Sequence, residues 1–265
     1  MNSDLIDFCE TYNLPFQHLG AVLKDPKVIP MIRGKAFEFS VNDYLSDTLN
    51  KSIWKVTKPY LNPQLNSHDE DVLIEHIATQ RRIRIECKLA AKGEYAAVQN
   101  ESIFKIKCMR SRTLGESQVE KLYESRGLEK SQLSVHNDQY LPSDFDLVIT
   151  SLANAFYSTS SEGIFIWNPS RLGQAFLNQK FGENLSAKEY QNAAFFDMYV
   201  AKASDLAIVQ GNGITCTRRK CTNSNACGFI PNYPLLKFNH NDLVNPSNKW
   251  VHINNIEKIL MDFLV

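Results

Sequence analysis

Asp71 stands at the head of an apolar run, Val72-Leu73-Ile74-Glu75-His76-Ile77, and Glu86-Cys87-Lys88 closes a second one, Ile83-Arg84-Ile85. Carboxylates that converge on one point repel each other and favour a hard divalent cation with oxygen ligands. Mg2+ commonly takes one or two carboxylates together with substrate phosphate. A lysine beside them would polarise a metal-bound water or a scissile phosphate. The chemistry these residue types suggest is metal-assisted phosphodiester hydrolysis.

The elements that must position them read as a hairpin. The first run, preceded by His68-Asp69-Glu70, is β-branched and apolar; Ala78-Thr79-Gln80-Arg81-Arg82 is polar and turn-prone. Ile83 and Ile85 alternate with Arg82 and Arg84, as a half-buried strand requires. Because strand side chains alternate faces, Glu86 and Lys88 point to one side and Cys87 to the other, and Asp71 sits across the ladder from Glu86. The plainer alternative is a solvated hairpin with ordinary surface charges.

An acidic residue opening one core strand, with Glu-X-Lys on the next, resembles the PD-(D/E)XK nuclease superfamily, with Glu70 at the proline-like position. The resemblance implies an α/β fold: a restriction-endonuclease-like core with a central mixed β-sheet flanked by helices, and C-terminal recognition elements. The whole chain, 1–265, would be a single nuclease domain, its catalytic core over about 30–170 and its recognition and dimerisation elements over about 171–265. It implies Asp71 and Glu86 as ligands of Mg2+, with Mn2+ as the alternative ion, the carbonyl of Cys87 as a further ligand, and Lys88 acting on the water. Glu38 would approach the metal from the first helix; pairing with Arg33 or Lys35 is the equal alternative. The expected activity is that of a type II restriction endonuclease cutting double-stranded DNA as a homodimer, since a two-fold site is matched by a two-fold protein. A structure-selective or repair nuclease, or a module that binds DNA without cutting, are the other readings.

Composition bounds these expectations. With 265 residues, 43% of them hydrophobic, the chain can bury a substantial core. No basic segment followed by an apolar stretch opens it, and no run approaches the ~18 residues of a membrane span, so a cytoplasmic location and no membrane partner are expected. Six scattered cysteines then argue for reduced thiols, with Cys9, Cys87 and Cys108 in apolar surroundings. The formal net charge is zero, from 29 basic and 29 acidic residues, so attraction to nucleic acid must come from local segregation of charge.

Two basic clusters offer it. From Lys88 to Thr113 the basic residues Lys88, Lys92, Lys105, Lys107, Arg110 and Arg112 face only Glu94 and Glu101, which suits phosphate contact or, equally, a solvated basic face. The second is Arg218-Arg219-Lys220, enclosed by Cys216 and Cys221, where a loop could reach a DNA groove. Cys216, Cys221 and Cys227, with His240 further on, raise a structural zinc site; reduced, partly buried cysteines or a disulfide are the alternatives.

The rest of the chain reads as alternating helix and strand. Residues 1–29 look helical with breaks, and Phe37, Val41, Tyr44 and Leu45 recur at helical spacing. Residues 116–126 suggest a charged helix ended by Gly127, and 185–204 an amphipathic helix capped by Ser186. Buried strands are expected at 146–150 and 163–167 with a helical turn between them, and further strands at 206–209 and 250–253. Asn212-Gly213 signals a turn, 211–248 reads as an extended loop region, and 256–264 as a closing helix. His68, His76, His136, His240 and His252 form no close metal-binding spacing. Nucleophile-elbow and phosphate-cradling glycine motifs are missing.

Overall fold

A computed structural model describes residues 3–59 and 70–264, so His68 and Asp69 of the hairpin's lead-in lie outside the described residues. In chain order it contains α1 (Ser3–Thr11), α2 (Leu19–Leu23), α3 (Ile29–Thr48), β1 (Trp54–Thr57), β2 (Val72–His76), β3 (Arg82–Cys87), β4 (Ala90–Val98) and β5 (Glu101–Ile106). There follow α4 (Glu116–Leu122), α5 (Lys130–Val135), β6 (Leu147–Ser151), β7 (Tyr157–Thr159), β8 (Phe165–Trp167), α6 (Arg171–Phe181) and α7 (Ala187–Phe196). The chain ends with β9 (Met198–Lys202), α8 (Ala203–Leu206), β10 (Leu235–Asn239), β11 (Val251–His252) and α9 (Ile256–Met261).

The central sheet is mixed and six-stranded, in the order β1-β2-β3-β6-β9-β11. Only the β3–β6 pair is parallel; it aligns Glu86 with Val148. Helices flank the sheet on both faces, and alternation along the central strands explains why. Leu147, Ile149, Met198 and Val200 enter one core with Phe37, Val41 and Leu45 of α3 and Ile256 and Leu260 of α9. Val148, Tyr199 and Ala201 enter the other, with Leu177 of α6 and Ala194 of α7. Phe37, Val41 and Leu45 recur every four residues and are fully buried, so α3 presents one continuous stripe to the sheet.

The hairpin forms as expected, β2 pairing antiparallel with β3 through Val72↔Ile85 and Ile74↔Ile83. Its turn returns through Gln80 at φ 58°, closed by Gln80 N–H to the His76 carbonyl at 2.8 Å. Asp146 ties β3 to β6, since its carboxylate accepts from both Arg84 N–H (2.8 Å) and Arg84 Nε (3.1 Å). That clasp fixes the register that carries Glu86 to the strand end.

Several expectations need correction. The 185–204 helix stops at Phe196, and Met198–Lys202 is instead an interior strand of the central sheet. A short run apolar on both faces has no period to distinguish helix from strand, and burial between two layers selects the strand. The sheet therefore draws β9 and β11 from beyond residue 170. The 163–167 segment is no core strand: β8 forms a separate, half-exposed ribbon with β7. Residues 206–209 form no strand either, although Ile208 exchanges backbone hydrogen bonds with Gly228 and Phe229. Within the 211–248 loop region, β10 adds a strand to a second sheet, β10-β5-β4.

That second sheet meets the central one where Phe238 of β10 packs on Tyr199 of β9, ring centroids 5.2 Å apart, and aromatic rings fill the core on this side. Phe104 of β5 lies 5.1 Å from Tyr95, 5.1 Å from Phe176, 5.8 Å from Phe156 and 5.9 Å from Phe238 between ring centroids. Phe104→Ala should lower unfolding stability by about 3–5 kcal/mol, as aromatic truncations in cores do. Denaturant unfolding monitored by tryptophan fluorescence measures it, and a loss no larger than that of an exposed site would contradict this placement.

Candidate functional site

One residue beyond the Val72↔Ile85 pair, the antiparallel register sets Asp71 beside Glu86. The Asp71 carboxylate accepts the Cys87 backbone N–H at 2.8 Å. Glu86 Oε1 accepts the Tyr140 hydroxyl at 2.9 Å and pairs with Lys88 Nζ at 2.5 Å. Glu38 reaches the same region from α3. Its Oε2 pairs with Lys35 at 2.8 Å and with Lys58 at 2.5 Å, and Lys58 Nζ also donates to the Asp71 carbonyl at 3.2 Å. Asp71, Glu86 and Glu38 are 7%, 8% and 7% exposed. Strand alternation puts Cys87 in the α3-side core, away from Glu86 and Lys88.

Burial of like charges dominates the electrostatics. Asp71 is pushed up from 3.8 to about 8, first by desolvation and then by the Glu86 and Glu38 carboxylates, against the opposing pull of Lys88 and the Cys87 N–H. Burial alone would lower Lys88, but Glu86, Tyr140 and Asp71 outweigh it and hold the ammonium well above its ordinary value. Desolvation, then Glu86, raises the Tyr140 phenol, and burial with the neighbouring carboxylates raises the Cys87 thiol. The site is thus a largely desolvated group of three carboxylates, two of them paired with lysines, with Lys88 held in its cationic form. Such a cluster can hold a divalent cation through oxygen donors and offer an anion a fixed positive charge.

The structure brings together Asp71, Glu86 and Lys88, with the Cys87 N–H on Asp71, and Glu38 joins them through Lys58. Two residues here escaped the sequence. Lys58 lies just after β1 in no recognisable motif, and Tyr140 is 54 positions from the glutamate it bonds. Neither carries a local signal.

The basic residues divide. Arg110 is not a free phosphate contact: its guanidinium is bound by Asp144, donates to the Gln139 carbonyl at 3.1 Å and lies 4.7 Å over the Tyr140 ring. Arg218 is likewise committed, to Asp138, which Asn232 also holds at 2.8 Å. Lys92 donates to Thr159 and Lys105 pairs with Glu94 at 2.7 Å, both at the surface. Lys107, Arg112, Arg219 and Lys220 are exposed.

A second cluster lies apart in sequence from the first. Cys216, Cys221, Cys227 and His136 place one potential ligand atom each within 4.8 Å of one another, an arrangement that could hold a metal such as zinc. His240 is not its fourth member. The intervening sheet strand carries His240 away, where its N–H donates to the Asn100 carbonyl at 2.8 Å. The imidazole of His136 was hidden from sequence reading by its distance of 80 residues from Cys216.

The raised Asp71 value predicts a pH dependence. A carboxyl whose value is higher folded than unfolded favours folding while protonated, so ionising Asp71 penalises the fold progressively from about pH 4 to about pH 8. With no divalent ion added, Asp71→Asn should therefore melt above the wild type at pH 8–9, and the gap should close towards pH 4. Thermal melts across that range read it; a gap that widens on acidification would refute the assignment.

Compared with known families, curated proteins and solved structures, the chain matches none of them.

Proposed function

We propose that this protein is a Mg2+-dependent endonuclease of the type II restriction class, hydrolysing double-stranded DNA at a short specific sequence as a homodimer. The observation that carries this reading is the convergence of Asp71, Glu86 and Lys88 at the end of a buried hairpin, joined by Glu38 from α3. The donor set fits Mg2+. Its carboxylates are all hard oxygen ligands, and Asp71, raised to about 8 first by burial and then by Glu86 and Glu38, is a buried carboxyl whose ionised form a divalent cation would stabilise.

Asp71 and Glu86 would hold the ion, with the Cys87 carbonyl at the same strand end as a further donor. When bound, Mg2+ supplies a Lewis acid for phosphate oxygen and a more acidic water. Lys88, kept charged by Glu86 and Asp71, attracts a phosphate oxygen and orients the attacking water; as a fixed cation it is suited to positioning, not to proton removal. Tyr140 steadies Glu86, and Lys58 steadies Glu38 and the start of β2. Lys92, Lys105, Lys107 and Arg112 remain available for phosphate, and Arg219 and Lys220 for contacts from the cysteine loop.

Incubation of plasmid DNA with the protein and Mg2+ tests this reading. Discrete fragments are expected; a smear would indicate a nonspecific or structure-selective nuclease, and intact DNA a binding module. Asp71→Asn and Glu86→Gln should abolish cleavage while retaining DNA binding, and full cleavage by Asp71→Asn would remove the metal assignment.

Lys88→Ala should slow single-turnover cleavage by about 10²–10⁴-fold, the usual worth of one electrostatic or proton-transfer group. Unchanged cleavage of bound DNA, with weakened binding, would make Lys88 a phosphate anchor only.

A further inference from the structure

We propose that His136 Nε2 and the thiolates of Cys216, Cys221 and Cys227 form a structural Zn2+ site. In this site the metal fastens the segment 136–145 to the loop 208–230 and so holds Tyr140 against Glu86.

The donor spacing suits a tetrahedral Zn2+ site. Zn2+ with Zn–S near 2.3 Å and Zn–N near 2.0–2.1 Å sets sulfur and nitrogen about 3.5 Å apart. Cys216 Sγ lies 3.5 Å from His136 Nε2, and all four ligand atoms lie within 4.8 Å of one another. The histidine is oriented for the task. Its Nδ1 is 2.8 Å from the Gln132 carbonyl, which requires Nδ1 to carry the proton and leaves the Nε2 lone pair facing the sulfurs. Its ring is stacked on Phe229, with centroids 4.3 Å apart and planes 8° from parallel. Three soft donors and one imidazole select Zn2+ over the hard ions suited to the carboxylate site. The cysteines are free thiols, and Cys216 and Cys227 are buried. On binding, each thiol passes its proton to solvent and the sulfur pair becomes the coordinate bond.

The surroundings show what the metal would do. The fully buried core around the cluster is small, Val119, Leu133, Leu141, Ile208 and Phe229 beside the two buried cysteines, and the other apolar side chains packed on it are only partly buried. A core of that size gives helices α4 and α5 little hold of their own, the situation in which small units rely on metal. From the cluster, contacts run directly to the carboxylate site. Arg218 pairs with Asp138, Gln139 donates to the Ile230 carbonyl at 2.9 Å, and Ile230 N–H donates to the Tyr140 carbonyl at 2.8 Å. The Tyr140 hydroxyl then meets Glu86 at 2.9 Å.

Metal analysis of the full-length protein, purified without chelator, is the test and needs no DNA. Stoichiometric zinc is expected, released by a mercurial thiol reagent in step with thiol modification. Cobalt substitution should give the thiolate charge-transfer band of a tetrahedral sulfur site. Cys221→Ser should lose most of the zinc, while Cys9→Ser, at a buried cysteine outside the cluster, should keep it. If Cys221→Ser does not fold, hydrogen exchange on the wild type decides: zinc removal should deprotect 136–145 and 216–230 well before β2 and β3. Absence of zinc after reduction and Zn2+ titration, a disulfide among the three cysteines, or uniform deprotection of the whole chain would each overturn the proposal.

Discussion

Like charges forced together at the end of one hairpin are the constraint around which this structure is arranged. Asp71, Glu86 and Glu38 are each less than a tenth exposed, and isolated carboxylates do not tolerate such burial in ionised form. The protein answers with local compensation: Lys88 and the Tyr140 hydroxyl on Glu86, Lys35 and Lys58 on Glu38, a backbone amide on Asp71. The compensation is least complete at Asp71, which burial first, and the Glu86 and Glu38 carboxylates second, raise to about 8. Carboxyls raised this far by burial and by neighbouring carboxylates occur at functional sites and in structural ion-pair networks alike.

Holding such a cluster requires a rigid frame on every side. The parallel β3–β6 pair and the Asp146–Arg84 clasp fix the strand end, α3 delivers Glu38 from one layer, and the 136–145 segment delivers Tyr140 from the other direction. Arg110 belongs to this frame, clamped between Asp144 and the Tyr140 ring. Desolvated arginines paired this way are costly to break and are poor candidates for meeting a ligand. The charge that could meet a polyanion is thus thinner than the sequence alone suggests, and resides in the exposed lysines and in Arg112 and Arg219.

The small core near the cysteines gives the molecule a second organising centre. Apolar burial there is limited, while further along the same segment Tyr140 and Phe145 pack into the main core and Tyr140 bonds Glu86. A metal cross-link is a compact solution, because one ion replaces many side-chain contacts in fixing the relative positions of two loops.

The sequence by itself determined the local elements whose pattern is unambiguous. Alternation in Ile83–Ile85, the four-residue recurrence of Phe37, Val41 and Leu45, and the Ser186 cap each specify their structure from neighbours in the chain. Asp71, Glu86 and Lys88 were legible for the same reason, since a hairpin converts sequence spacing directly into proximity. Tertiary structure decided everything that depends on distant partners. Met198–Lys202 became a strand because two layers enclose it, Tyr140 and Lys58 joined the carboxylates across long stretches of chain, and His136 rather than His240 met the cysteines. Burial on both faces erases periodicity, and side-chain contacts between remote segments leave no spacing to read.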